Sequence, residues 1–194
     1  MTGIMEEISE KKHLIFESAL DLIKENGFHG TPMSQVAANA GVAAGTIYHY
    51  FKSKDELIRE LYAYNRHRII TVVDEATSEG GTRKDRFFNI WNRLYEFYIK
   101  NDNVLVFFEQ YLNSPYNTDK SSNHLRGSFY GFLLEGMEAG EIRHVKPELL
   151  LALAFGSVSS AAKLSLFGNV PLEQPDLDSV AAILWRGIAA NQRD

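Results

Sequence analysis

No cysteine occurs among the 194 residues. A disulfide framework, a thiolate metal site and a cysteine nucleophile are thereby excluded, and a reducing compartment suits the chain. Acidic side chains are missing from one window: between Asn26 and Lys54 there is neither aspartate nor glutamate, although the formal net charge is −5. Apolar runs are short. The longest uncharged stretch of the C-terminal half, Leu149 to Ala162, has 14 residues. That is fewer than the roughly 20 needed to cross a bilayer, so a buried helix is expected there, with no membrane partner. The opening MTGIMEEISEKK carries charges where a leader peptide needs apolar residues, and a cytoplasmic protein is expected. Gly-rich phosphate loops, G-x-S-x-G and H-E-x-x-H are all missing, and the six histidines offer no i,i+4 pair. The expectation is a protein that is not an enzyme and uses no cofactor and no metal.

With 45% hydrophobic and 23% charged residues, the composition is that of a globular chain able to bury a substantial core. Almost all of it carries helical spacing. Ile8, Ile15, Ala19, Leu22 and Ile23 recur at three- and four-residue intervals with lysine and glutamate between them, and Gly27 ends that helix. Thr31-Pro32 opens a second, short helix, with Thr31 read as the N-cap and Pro32 as the first helical residue. Its inward face is Met33, Val36, Ala37 and Ala40, and Gly41 closes it. A third helix spans roughly 44–51, with Ile47 and Phe51 inward. Ser53 and Glu56 form a capping box for a fourth, running to about Ala76. After Gly80-Gly81 come helical segments near 83–101, 103–113, 118–139, 147–167 and 177–191, the last preceded by a loop from Gly168 to Pro175. The fold class is all-α.

Two short helices joined by a glycine turn make a helix-turn-helix. That motif lays its second helix in the major groove of DNA. Tyr48, His49 and Tyr50 are consecutive in AAGTIYHYFKSKDEL, so they cannot all enter one core. A groove-reading helix gives the outward residues a purpose. The Thr46 methyl can meet a thymine methyl, and the Tyr48 and Tyr50 hydroxyls can donate to phosphate. Lys54, in the first turn of the next helix, can hold a phosphate with that helix's free N–H groups. Thr31 and Ser34 would grip the other side of the groove. The acid-free window suits an approach to phosphate, although a small-residue hairpin can lack acids for no such reason. His49 is read as packing on the first helix.

The run from Thr31 to Leu57, TPMSQVAANAGVAAGTIYHYFKSKDEL, resembles the DNA-binding signature of the TetR family of bacterial transcriptional regulators. The matching elements are Val36-Ala37, Ala40-Gly41-Val42, Gly45-Thr46-Ile47-Tyr48, Tyr50-Phe51 and Lys52 to Leu57. The resemblance implies a DNA-binding domain over 1–53 and an effector-binding and dimerisation domain over 54–194. It also implies a homodimer on a palindromic double-stranded DNA operator, usually a repressor, released when a small-molecule effector enters the C-terminal domain. Many relatives carry a serine at position 43 and a basic residue at 44, where this chain has Ala43 and Ala44. Readout at Ala44 and Gly45 is therefore expected to be apolar and by backbone shape.

Nine aromatics fall between Phe87 and Tyr111. Trp91, Tyr95, Tyr98, Phe107, Phe108 and Tyr111, with Phe129 and Phe132 as a further wall, are the candidate lining for an apolar or aromatic effector. Plain core packing is the other reading of those rings. Asn92, Glu96, Glu109, Gln110, His124 and Arg126 are the polar candidates, and their mixed signs leave the effector's charge open. Ala152, Gly156 and Ser160 give one helix a small-residue face beside Leu149, Leu153 and Leu164. The last helix offers Val180, Ile183, Leu184, Trp185 and Ile188. These two helices are expected to form a four-helix dimer interface with their copies. The alternative function is a DNA-binding regulator controlled by a protein partner, or with no effector at all. Such a protein would be filled where a cavity is expected. A helical interaction module without DNA binding is the remaining class.

Overall fold

The computed structural model describes residues 9–117 and 127–190, and among them all regular structure is helical. The helices are α1 (Glu10–Asn26), α2 (Met33–Asn39), α3 (Ala44–Tyr50), α4 (Lys54–Ser78), α5 (Arg83–Lys100), α6 (Asp102–Leu112), α7 (Ser128–Glu138), α8 (Pro147–Phe167) and α9 (Gln174–Ile188). The first part of the expected 118–139 helix, with His124 and Arg126, lies outside the described residues.

Two compact units divide the chain. The first holds described residues 9–65 with 103–117, and the second holds 66–102 with 127–190. The boundary expected at 53/54 therefore falls inside the first unit, because the start of α4 supplies Leu57, Ile58 and Leu61 to its core. Both α4 and α6 have residues in each unit.

In the first unit, Ser9 caps α1 by accepting the Lys12 N–H at 3.3 Å, and Gly27 ends it at φ +67°. Phe16, Leu20, Ile23, Val36, Ile47 and Phe51 are buried together with the α4 residues. The turn between α2 and α3 is set by Gly41 at φ +66°, which lets the Val42 N–H reach back to the Ala37 carbonyl at 3.0 Å. At the start of α4, Ser53 Oγ accepts the Glu56 N–H at 3.2 Å. The Glu56 carboxylate takes the Lys52 N–H at 2.6 Å, one residue earlier than a strict capping box. Residues 103–117 close the unit through rings: Tyr111 stacks on Tyr62 at 4.2 Å and Phe107 meets Phe28 edge-on at 5.8 Å.

In the second unit, α5 packs on α8 and α9, and α7 packs on α8. The loop after α7 is pinned to the end of α9, with the Arg143 N–H on the Ile188 carbonyl and the Ala190 N–H on the Glu141 carbonyl, both 2.9 Å. Helix α9 starts three residues before the expected 177. Pro175 sits in its first turn, where a missing N–H costs nothing, and the Glu173 N–H is held by Asp176 Oδ2 at 3.0 Å. Helix α8 buries only one face. Leu150, Leu151, Ala154 and Val158 are inside, while Leu149 and Leu153 are each 57% exposed, beside exposed Ala152, Gly156 and Ser160. The helix expected to be buried there is buried along one face only.

Candidate nucleic-acid interface and C-terminal seam

The acid-free window folds into α2, the Gly41 turn and α3, ending where α4 begins. Ile47 faces the core, and its neighbours face outward. Tyr48 is 54% exposed, Ala44, Gly45 and His49 are exposed, and Thr46 is half-buried. At Gly45 a side-chain carbon would meet no atom within 4 Å, so nothing within the chain blocks close approach to that backbone. Tyr50 is half-buried, and its hydroxyl accepts from Ser9 Oγ at 3.0 Å, which leaves its own proton free to donate. Ser34 is exposed at the start of α2. This surface can enter a groove: a short helix carrying one prominent phenol, small residues before it, and no carboxylate.

Three expectations are corrected here. Thr31 is 3% exposed, and its hydroxyl donates to the Gly27 carbonyl at 2.9 Å. It is therefore neither the N-cap, a position Pro32 occupies, nor an outward grip. Its role is to satisfy the free carbonyl end of α1. His49 is exposed instead of packed on α1, and its ring meets the edge of Tyr50, 5.6 Å away. The Lys54 ammonium is half-buried and donates to the Phe28 carbonyl, so this cation is already engaged within the chain. Burial pushes it below the usual lysine range, with Asp55 opposing. Gln35 and Asn39 on α2 are exposed amides that sequence reasoning passed over. The signal was available, since both lie off the Met33–Val36–Ala37 face.

The candidate effector residues separate between the two units. Phe107, Phe108 and Tyr111 belong to the first, where they pack on Phe28 and Tyr62. Trp91, Tyr95, Tyr98, Phe129 and Phe132 belong to the second and are buried. There an apolar seam is lined by Phe87, Ile90, Trp91 and Leu94 of α5, Phe129 of α7, and Ala154 and Val158 of α8. It is too narrow to admit water, so it is a closed packing seam and no cavity of the roughly 300 to 1,000 Å³ usual for ligand pockets. The polar handles expected to meet a ligand are engaged across the helix pair. The Trp91 indole N–H donates to Ser157 Oγ at 2.9 Å, and the Tyr95 hydroxyl lies 2.8 Å from Ser165 Oγ. Asn92 buries its Oδ1 without a donor. Among the described residues no three His, Asp or Glu side chains gather to hold a metal.

A helix-turn-helix ahead of a helical C-terminal unit defines a DNA-binding regulator of the all-α kind. Residues 15–61 match the model for bacterial regulatory proteins of the tetR family, and residues 83–189 match a tetracyclin repressor-like C-terminal domain. The chain belongs to the TetR family of transcriptional regulators. It is 27% identical to a fatty acid metabolism regulator protein of Bacillus subtilis, over 90% of this chain and 93% of that one. It is also 27% identical, with the same coverages, to an HTH-type transcriptional regulator of Haemophilus influenzae. Among solved structures, a tetR family regulator from Shewanella superposes with a TM-score of 0.82 at 26% identity, covering 93% and 99% of the two chains. The Bacillus subtilis regulator FadR, crystallised with stearoyl-CoA, superposes at 0.71 with 25% identity, covering 90% and 95%.

Proposed function

We propose that the protein is a homodimeric repressor that binds a palindromic operator through α3 and is released by an apolar, long-chain effector. The observation that carries the DNA reading is Tyr48, a large phenol left 54% exposed on a short helix within a 29-residue window free of acids. Ser34, Ala44, Gly45, Thr46, Tyr48 and Tyr50 are its contact set, with Lys52 as an exposed cation beside them. Lys54 reaches phosphate only by leaving the Phe28 carbonyl.

The effector reading is supported by the wholly apolar seam and by the names of two relatives, a fatty acid metabolism regulator and a regulator bound to stearoyl-CoA. A chain of that size exceeds the seam, so its entry must part α5 from α8 and break the Trp91–Ser157 and Tyr95–Ser165 hydrogen bonds. Movement of α5 is passed to the end of α4 by ions. Arg93 pairs with Glu79 and lies 3.7 Å from Glu75, and Asn89 donates to Glu79 at 2.9 Å. Because α4 continues into the first unit, a displaced end changes the setting of the two recognition helices. A coupling of about 1–3 kcal/mol suffices for regulation. The closed seam also favours a second reading, in which a protein partner or no effector controls the same DNA-binding dimer.

Selection from a random duplex pool, followed by fluorescence polarisation, tests both parts. The expected product is a palindrome with half-sites about one helical turn apart. Tyr48→Ala is expected to weaken operator binding by about 1–2 kcal/mol, roughly five- to thirty-fold. Operator affinity unmoved by palmitoyl-CoA and by a panel of apolar compounds would leave the second reading.

A further inference from the structure

The seam accounts for an apolar chain but not for a head group; the first turn of α5 supplies one. Arg83 and Arg86 both lie over the ring of Phe132, with Cζ atoms 5.3 and 5.8 Å from its centroid. Arg83 is accounted for. Its Nη1 donates to the Phe132 carbonyl at 3.1 Å, and its Nε lies 3.3 Å from Glu141 Oε1 in an ion pair. Its stem crosses α7 at Gly136, where a side-chain carbon would come within 2.9 Å of Arg83 Cδ. Arg86 has none of these partners. Its Nε, like that of Arg83, is buried without a hydrogen-bond acceptor, but unlike Arg83 it has no carboxylate paired with it among the described residues.

Guanidinium does not lose its proton in a protein, so Arg86 cannot escape this position by neutralising. Two like charges therefore share one ring, and the carboxylate beside them pairs with Arg83 alone. Phe132 lies 5.8 Å from Phe129, and Phe129 with Phe87 lines the seam. A cation without an anion stands one ring away from an apolar slot. Arg86 is half-buried and its Nε is a buried donor, which calls for a partner that the described residues do not provide.

We infer that Arg86 anchors the anionic head of an amphipathic effector whose hydrocarbon chain enters the seam. This rests on the effector reading above and adds to it the ligand's charge and the residue that reads it. A carboxylate and a phosphate both match the guanidinium fork, so the head belongs either to a free fatty acid or to its CoA thioester.

Intrinsic tryptophan fluorescence follows binding, because Trp91 lines the seam. The full-length protein is titrated with palmitate, palmitoyl-CoA and uncharged hexadecanol, each below its micelle concentration. At least one charged compound is expected to bind roughly ten- to a hundred-fold more tightly than hexadecanol. Preference for palmitate assigns a carboxylate head, and preference for palmitoyl-CoA alone assigns phosphate. Arg86→Gln is expected to erase the preference while the hexadecanol affinity stays within about two-fold. Should that variant fail to fold by circular dichroism, Arg86→Met, which keeps an apolar stem on Phe132, carries the same comparison. A preference that survives in the folded variant, or equal binding of all three compounds to the unaltered protein, overturns the anchor and leaves the effector reading standing. Binding of none of them removes both.

Discussion

Thr31 illustrates how a side chain's company decides its job. By type and position it suits a helix cap or a phosphate contact, yet its hydroxyl is turned onto the Gly27 carbonyl at 2.9 Å. That carbonyl belongs to the open end of α1 and is part-buried beside its donor. Thr31→Val keeps the shape and removes the hydroxyl, leaving the carbonyl short of a partner. The expected cost is about 1–2 kcal/mol, a fall of about 2–8 °C in melting temperature for a chain of this length. Operator affinity of the folded variant should change by less than about two-fold. Calorimetry and polarisation together check this. An order-of-magnitude loss of affinity at an unchanged melting temperature would return Thr31 to the interface. Lys54 teaches the same lesson: its spacing is that of a phosphate-binding lysine, and only the position of the Phe28 carbonyl reveals a competing partner.

Helices were legible wherever spacing and caps agreed. Helix α5 is the clearest instance. Thr82 and Asp85 form a full capping box, with the Asp85 N–H on Thr82 Oγ1 at 3.2 Å and the Thr82 N–H on Asp85 Oδ2 at 3.0 Å. The Thr82 hydroxyl and N–H hold the Asp85 carboxyl below its ordinary value of 3.8. A carboxyl depressed in the folded state contributes stability that is complete above the unfolded value and lost as pH falls through the folded one. Melting temperature followed from pH 6 to about 2 should therefore decline less steeply in Asp85→Asn than in the parent. Identical profiles would mean that the cap adds nothing to global stability. The start of α9 was harder to read, because Pro175 signals a loop and a first helical turn equally well. The Glu173–Asp176 hydrogen bond is what distinguishes the two here.

Across the whole molecule, the apolar exposure of the last two helices is the feature a monomer leaves unexplained. Leu149 and Leu153 on α8 are each 57% exposed, and Ile183 on α9 is 65% exposed, around the small residues Gly156 and Ser160. Of the residues first assigned to that face, Trp185 instead meets Phe87 at 5.6 Å and Ile188 is buried. Helix α8 has the length and hydropathy of a membrane span, but one of its faces is taken by core packing. A second copy of the same chain would cover the other face with matching chemistry. If the proposed dimer forms through this face, Leu153→Glu should give a monomer in sedimentation velocity where the parent is a dimer. It should also weaken binding to the full palindrome by about 100-fold or more, since one half-site then acts alone. A dimeric Leu153→Glu protein with full affinity would place the interface elsewhere.

Order along the chain was enough for the all-α class, the helix-turn-helix, the outward Tyr48 and the aromatic-rich C-terminal half. Helical period, capping residues and turn glycines act between near neighbours, so they are written into short stretches. Which polar groups remain free was decided by atoms brought from far away in sequence: Ser157 under Trp91, Ser165 against Tyr95, and Phe28 against Lys54. Hydrogen bonding saturates a donor wherever an acceptor happens to lie, and that acceptor's place exists only after the chain has packed.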